Sequence, residues 1–227
     1  FSLNAIQAVQ IASGKFAWLI GNDDLVLPHT LFKLKELIKN NQDVEYFFIN
    51  SYVLSSKILK NFPSPINVDK IDIKNLKSIC ALKKDFKGEF WDVIDPKVSW
   101  EFLIGIFLSV FRRDKWMKNL NVLNSELIAD TNVWSNFDNT CTHPKVLSSA
   151  FKNSKAYVCT EPLSINLVGE REWLSLYEFI EIIRIPELLD FYRSIEMPFY
   201  KYLICKNFSL RNFTNYLVKV FLGGKKT

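Results

Sequence analysis

Residues 16–28 read FAWLIGNDDLVLP. Phe16–Ile20 has the unbroken apolar character of a buried strand. Gly21 stops it, so Asn22, Asp23 and Asp24 arrive at its carboxyl end. Leu25–Leu27 is a short apolar step. Pro28 then stands where a helix can begin, because a first-turn proline gives up no hydrogen bond. In open α/β sheets, ligands gather at the carboxyl ends of strands. Two carboxylates directly after an apolar strand are costly without a positive partner. A divalent cation with a phosphate ligand would supply one, and hard oxygen donors suit Mg²⁺ or Mn²⁺. The same triplet between regular elements also suits ordinary turn and N-cap chemistry. The three residues alone leave both open.

Working outward, Leu31–Ile38 has the spacing of an amphipathic helix. Asn40–Asp43 is a polar turn, and Val44–Val53 returns as a strand. Strand, helix, strand at this spacing predicts a βαβ unit and a sheet that is mainly parallel. Upstream, Leu3–Ile11 has helical periodicity, and Ser13-Gly14 ends it. The chain starts at Phe1 in what reads as the middle of a fold, which predicts a longer natural N-terminus.

Downstream, Asp72–Leu82 reads as one helix and Lys83–Asp95 as a surface loop with aromatic anchors. Phe90-Trp91 either stacks on a sugar ring or pins that loop to the core, and Trp100 carries the same ambiguity. Phe102–Phe111 (FLIGIFLSVF) is the longest apolar run, and it suits a central strand. Arg112 and Arg113 open a helix, as a diphosphate contact or as solvated charge. Ser125–Phe137 reads as a loop and then a helix capped by Asp130. His143 sits in a loop-like Thr-His-Pro, and Lys155–Val168 is a strand or a hairpin. From Trp173 onward the pattern is helical: Leu174–Ile185 and Leu188–Ile195 around Pro186, then Phe199–Cys205 and Phe208–Leu222. The expected division is therefore 1–170 for an α/β domain and 171–227 for a helical C-terminal extension.

Composition bounds the function. The chain has 227 residues and is 48% hydrophobic, with only seven glycines, so it can bury a sizeable core and is not disordered. Net charge is +5, which fits anionic phosphates or an anionic membrane surface. No basic stripe interleaved with aromatics points to nucleic acid. Cys80, Cys141, Cys159 and Cys205 are too scattered for a zinc site and read as reduced thiols. No apolar run approaches the ~20 residues that span a bilayer.

Ser13-Gly14-Lys15-Phe16 leading into Trp18-Leu19-Ile20-Gly21-Asn22-Asp23-Asp24, then a hydrophobic step and Pro28, resembles the DXD region of family-two glycosyltransferases with the GT-A fold. The bacterial O-antigen transferases of the abequosyltransferase type are the nearest flavour. The resemblance covers Asn4–Ile49 closely and Phe102–Val168 loosely. It implies transfer of a sugar from a nucleotide-sugar donor to a hydroxyl of a cell-surface glycan or lipid-linked glycan, with inversion. It implies that Asp24 and Asp23 hold Mn²⁺ or Mg²⁺, and that Asn22, Asp23 and Asn4 lie against the donor. Asp130 would be the catalytic base, with Glu126 and Asp138 as alternatives. The family carries Asp where this chain has Asn22, and often Glu where it has Ala129. The implied setting is the cytoplasm at the inner face of the membrane. The C-terminal helices themselves read as a cap on the sheet domain, as a holder of a partner subunit, or as a membrane-surface face with Lys201, Lys206, Arg211 and Lys219 turned to phospholipid. The rival expectation is a non-catalytic scaffold or membrane-surface interaction protein of a glycan-assembly complex.

Overall fold

Tyr46-Phe47-Phe48-Ile49 is a run of aromatic and β-branched side chains, every one of them fully buried. Such a run fits a strand covered on both faces, and it begins the central strand of a computed structural model describing residues 2–59, 66–103, 105–132, 134–169 and 176–223. The strands are β1 (Phe16–Trp18), β2 (Leu25–Val26), β3 (Tyr46–Ser55), β4 (Lys77–Ser78), β5 (Phe86–Glu89), β6 (Ser109–Arg112) and β7 (Lys155–Val168). Their order is β1-β6-β3-β7-β2, with β4 also on β3 and β5 also on β7. The longer helices are α1 (Ser2–Ile11), α2 (Thr30–Asn40), α3 (Thr142–Phe151), α4 (Ile185–Ser194), α5 (Phe199–Ser209) and α6 (Phe213–Gly223).

Successive side chains on a strand point to opposite faces, and β3 sorts the core accordingly. Phe47 and Ile49 pack with Leu34 and Leu37 of α2 on one side. Tyr46 and Phe48 pack on the other with Ile6 of α1, Phe151 of α3, Leu188 of α4 and Cys205 of α5. The protein is therefore α/β, a seven-stranded sheet between helical layers, and helices from the C-terminal segment share the main core. All four cysteines are free and buried.

The expectation of a mainly parallel sheet is corrected. Among the described residues only β3 and β7 pair in parallel, and the other five pairings are antiparallel. β1 and β3 do run in the same direction, as strand-helix-strand requires, but β6 is wedged antiparallel between them. Local periodicity cannot register a strand inserted from some sixty residues downstream. β1 is also shorter than Phe16–Ile20 and only Ala17 of it is buried, because it ends the sheet.

Other expectations change for local reasons. Within Phe102–Phe111 only the last residues join a strand; Glu101–Leu103 and Ile106–Leu108 are 3-10 turns. Gly105 makes that turn possible: its N–H donates to the Glu101 carbonyl at 2.7 Å, and a Cβ on it would lie 2.8 Å from that same oxygen. Asp72–Leu82 is not a helix. The Asn67 and Asp72 side chains accept from Asp69 N and Lys74 N, closing two short 3-10 turns before β4, a competition that Asx side chains often win. Lys83–Asp95 contains β5 and a short helix, Phe90–Val93, with a capping box between Glu89 and Asp92. Phe90 and Trp91 are buried there, with Phe90 edge-on to Tyr46 at 5.1 Å, so they pin the segment. Trp100 packs on Phe208 at 4.7 Å. His143 is not in a solvated loop but buried in α3.

Lys155–Val168 forms one strand with a bulge. Ile49 faces Cys159, but Ser51 already faces Ser164, and Pro162 in the excess cannot donate to a ladder. Around Pro186 there are not two helices but one helical run, Tyr177 to Ser194, with a π turn at Ile180–Arg184 directly before α4. The wider turn accommodates a proline that lacks its N–H. Leu174 lies outside the described residues.

Candidate functional site

After β1, Trp18 fixes the chain by donating its indole N–H to the Phe107 carbonyl at 2.7 Å. Gly21 to Asp24 then form a tight turn: Asp24 N donates to Gly21 O, and Gly21 N donates to Asp24 Oδ2, both at 3.2 Å. The other carboxylate oxygen, Oδ1, accepts from Asn166 Nδ2 at 2.7 Å. Asn166 is nearly buried in β7. The next residues lock onto the same strand, with Leu25 opposite Ile165, Val26 opposite Ser164, and Leu27 N donating to Leu163 O at 3.1 Å. Thr30 Oγ1 at the start of α2 donates to that Leu163 carbonyl too. The acidic turn therefore hangs from the second half of β7.

Gly21 is the centre of this geometry. A Cβ there would lie 2.5 Å from Asp23 Oδ1 and 3.1 Å from Asp24 Oδ2. The two carboxylates thus converge on the space that the missing side chain leaves. Asn22 and Asp23 are exposed and Asp24 is half-buried. This donor set fits a hard divalent cation, which is typically held by one or two carboxylates and completed by substrate phosphates and water. Among the described residues, no group of three or more His, Cys, Asp or Glu gathers in a metal-holding cluster. The protein's own share of such a site is the Asp23 and Asp24 pair.

A cavity of about 310 Å³ opens directly beyond the turn, lined by Leu27, Pro28, His29, Val68, Asp69, Ile71 and Ile73. That is near the lower bound for small-molecule pockets, ~300–1,000 Å³. At its rim His29 and Lys33 both reach Glu161 of the β7 bulge, at 3.3 and 2.7 Å.

The other expected residues are placed elsewhere. Asn4 is exposed on α1. Asp130 is not a helix cap: it closes its own turn, accepting from Asn132 N at 2.9 Å and from Ser135 Oγ at 2.5 Å. The cap of the following Phe137–Thr140 helix is Asn136. The Ser135 hydroxyl, with Asn132, holds the Asp130 carboxyl below its usual range, which weakens it as a base. Asp130 makes its hydrogen bonds to Asn132, Ser135 and, through its carbonyl, Asn139; none reaches the acidic turn. Glu126 is exposed in the Ser125–Ile128 turn. Asp138 is buried in an ion pair with Lys145 at 2.5 Å and also accepts from Asn124 N. Arg112 pairs with Asp114 at 3.1 Å, and Arg113 caps α1 by donating to the Val9 and Gln10 carbonyls at 2.7 Å. Neither is simply solvated.

The basic side chains expected on a membrane face are mostly tied down. Lys201 is buried between Asp92 and Asp95, Lys206 pairs with Asp190 at 2.7 Å, and Lys219 reaches Glu178 at 3.5 Å. The residue that sequence reasoning missed is Asn166. Its signal is an amide inside an apolar strand pattern, and its partner lies more than a hundred residues away. No protein-family model matches this chain, and no curated protein matches it.

Proposed function

We propose that the chain is the catalytic part of a nucleotide-sugar-dependent glycosyltransferase of GT-A type, acting on a cell-surface glycan acceptor at the cytoplasmic face of the membrane. The observation that carries this reading is the convergence of Asp23 and Asp24 over Gly21 at the carboxyl end of β1. A plain Asx turn needs one side chain turned back on the backbone. Here the second carboxylate turns to the same point, and a near-buried amide from another strand fixes the first.

In this reading Asp23 and Asp24 bind Mn²⁺ or Mg²⁺ together with the donor diphosphate. The cation, when bound, neutralises charge on the leaving nucleotide. Asn166 orients Asp24 and would thereby set which of its oxygens faces the ion. Asn22 and Asp23, exposed at the tip of the turn, meet the nucleotide sugar. Asp130 takes the proton of the attacking hydroxyl, with the bond to Ser135 exchanged for one to the acceptor.

The test is calorimetric titration of Mn²⁺ and of UDP, GDP, CDP and dTDP, with and without Mn²⁺, into the wild type and Asp24→Ala. One nucleotide should bind in a metal-dependent way, and Asp24→Ala should lose that binding while staying folded, with a thermal midpoint lowered only by what the buried Asn166 amide loses with its acceptor, about 1–3 kcal/mol. If the wild type takes up neither metal nor any nucleotide, the turn is only a turn.

A further inference from the structure

The outer surface of the C-terminal helices is apolar where a helix layer is ordinarily polar. Phe199, Leu203 and Ile204 of α5 and Val218, Phe221 and Leu222 of α6 are all exposed, Phe221 to 73% and Leu222 to 65%. Both helices lie against the same backing run. α5 runs antiparallel to α4, with Tyr202 and Lys206 on Asp190 and Lys206 also on the Pro186 carbonyl. After a short turn, α6 continues along the same helical run, with Lys219 on Glu178. The two helices form one ledge backed by residues 177–194, and their apolar rows face away from it.

Charge selects the occupant. Of 29 basic and 24 acidic residues, six basic and no acidic ones fall after Pro198, leaving 23 basic against 24 acidic before it. The chain's whole positive excess therefore lies in the segment that carries the apolar ledge. Arg211, at the turn between the helices, stays exposed, stacked 3.9 Å from the Phe208 ring. Lys225 and Lys226 follow in sequence. Lys206 and Lys219 are answered by Asp190 and Glu178 of the backing run, but Lys219 and Arg211 stay exposed and the two helices carry no carboxylate of their own. An apolar helix face on such a segment matches the boundary between headgroups and acyl chains of an anionic bilayer. Tyr200 and Phe199 are of the type that settles at that depth.

We infer that α5 and α6 dock the protein flat on an anionic lipid surface, through an apolar ledge and not through the lysines along the helices. This is independent of the nucleotide-sugar reading, and the two fail separately. The test is flotation of the full chain with vesicles of phosphatidylcholine containing phosphatidylglycerol, or of phosphatidylcholine alone. The chain should float with the anionic vesicles, more weakly with the zwitterionic ones, and less as salt rises. Leu203→Ser/Ile204→Ser/Phe221→Ser/Leu222→Ser should lower the partition coefficient about a hundredfold or more. Phe221→Ser/Leu222→Ser, at the chain's helical end, should lower it about tenfold and serves if the fourfold variant does not fold. No flotation with anionic vesicles overturns the inference, as does equal binding to both lipid compositions or by the variants. So does a dimer in sedimentation equilibrium that these serines dissociate, without vesicle binding by the wild type, because the ledge then belongs to a second copy.

Discussion

Gly21→Ala separates a metal cradle from a simple turn. The φ of Gly21 lies outside the left-handed region, so alanine meets no backbone strain. What it meets is Asp23 Oδ1 at 2.5 Å and Asp24 Oδ2 at 3.1 Å. Asp23 is exposed and relieves the shorter contact by rotating its carboxylate, whereas Asp24, held by Asn166, has to give only slightly. An off-rotamer adjustment costs about 0.5–1.5 kcal/mol. Replacing glycine by alanine in a compatible conformation returns about 0.4–1 kcal/mol through the unfolded chain. Stability should therefore change by no more than about 1 kcal/mol, a shift of about 2–4 °C in the melting midpoint for a chain of this size. The carboxylates, however, no longer converge. Disturbing even the groups that orient metal ligands costs about 10–100-fold in affinity, so metal-dependent nucleotide binding should weaken by at least about tenfold. Differential scanning calorimetry and titration calorimetry on the same preparation read both numbers. Unchanged metal-dependent affinity in Gly21→Ala would refute the cradle, and a stability loss well beyond this range would show that the two carboxylates cannot move as argued.

Asp138→Ala should destabilise the fold by about 3–5 kcal/mol, because Lys145 is left charged and uncompensated among the Phe137 and Phe191 rings; urea unfolding should show the double variant with Lys145→Met recovering most of it, and additive losses would refute the pairing. Although burial pushes the Asp85 carboxyl up, hydrogen bonds from Thr160 and Tyr157 bring it below its ordinary 3.8. The folded group thus holds its proton less readily than the unfolded one, so its contribution is present above that value and lost as pH falls through the lower, folded one. Acid titration of stability should be shallower for Asp85→Asn than for the wild type, and identical slopes would exclude the effect. If Asp130 is the base, Ser135→Ala removes the main cause of its lowered pKa. The acidic limb of the pH–rate profile should then move upward, and an unmoved limb would place the base elsewhere.

The sequence by itself determined what nearest neighbours along the chain decide. Apolar periodicity located α2 and the strand beginning near Val44, because a helix or strand face repeats within a few residues. Gly21-Asn22-Asp23-Asp24 announced a charged turn after an apolar segment, because glycine and Asx residues favour turns for reasons local to the backbone. The tertiary structure decided everything that depends on distant partners. β6 inserts between β1 and β3 from far downstream, which turned an expected parallel sheet into a mostly antiparallel one. Gly105 bent an apolar run that has no period of its own to reveal it. Ser135 took the carboxylate of Asp130 out of the capping role that its position suggested. Asn166 became the anchor of Asp24 only because β2 pairs with β7 at that register. Lys201, one of four cations expected on the surface, is buried because Asp92 and Asp95 arrive beside it from another part of the chain. Periodicity encodes which face of an element is apolar. Which groups then meet across the fold is set by register and packing, and these are fixed only when the whole chain closes on itself.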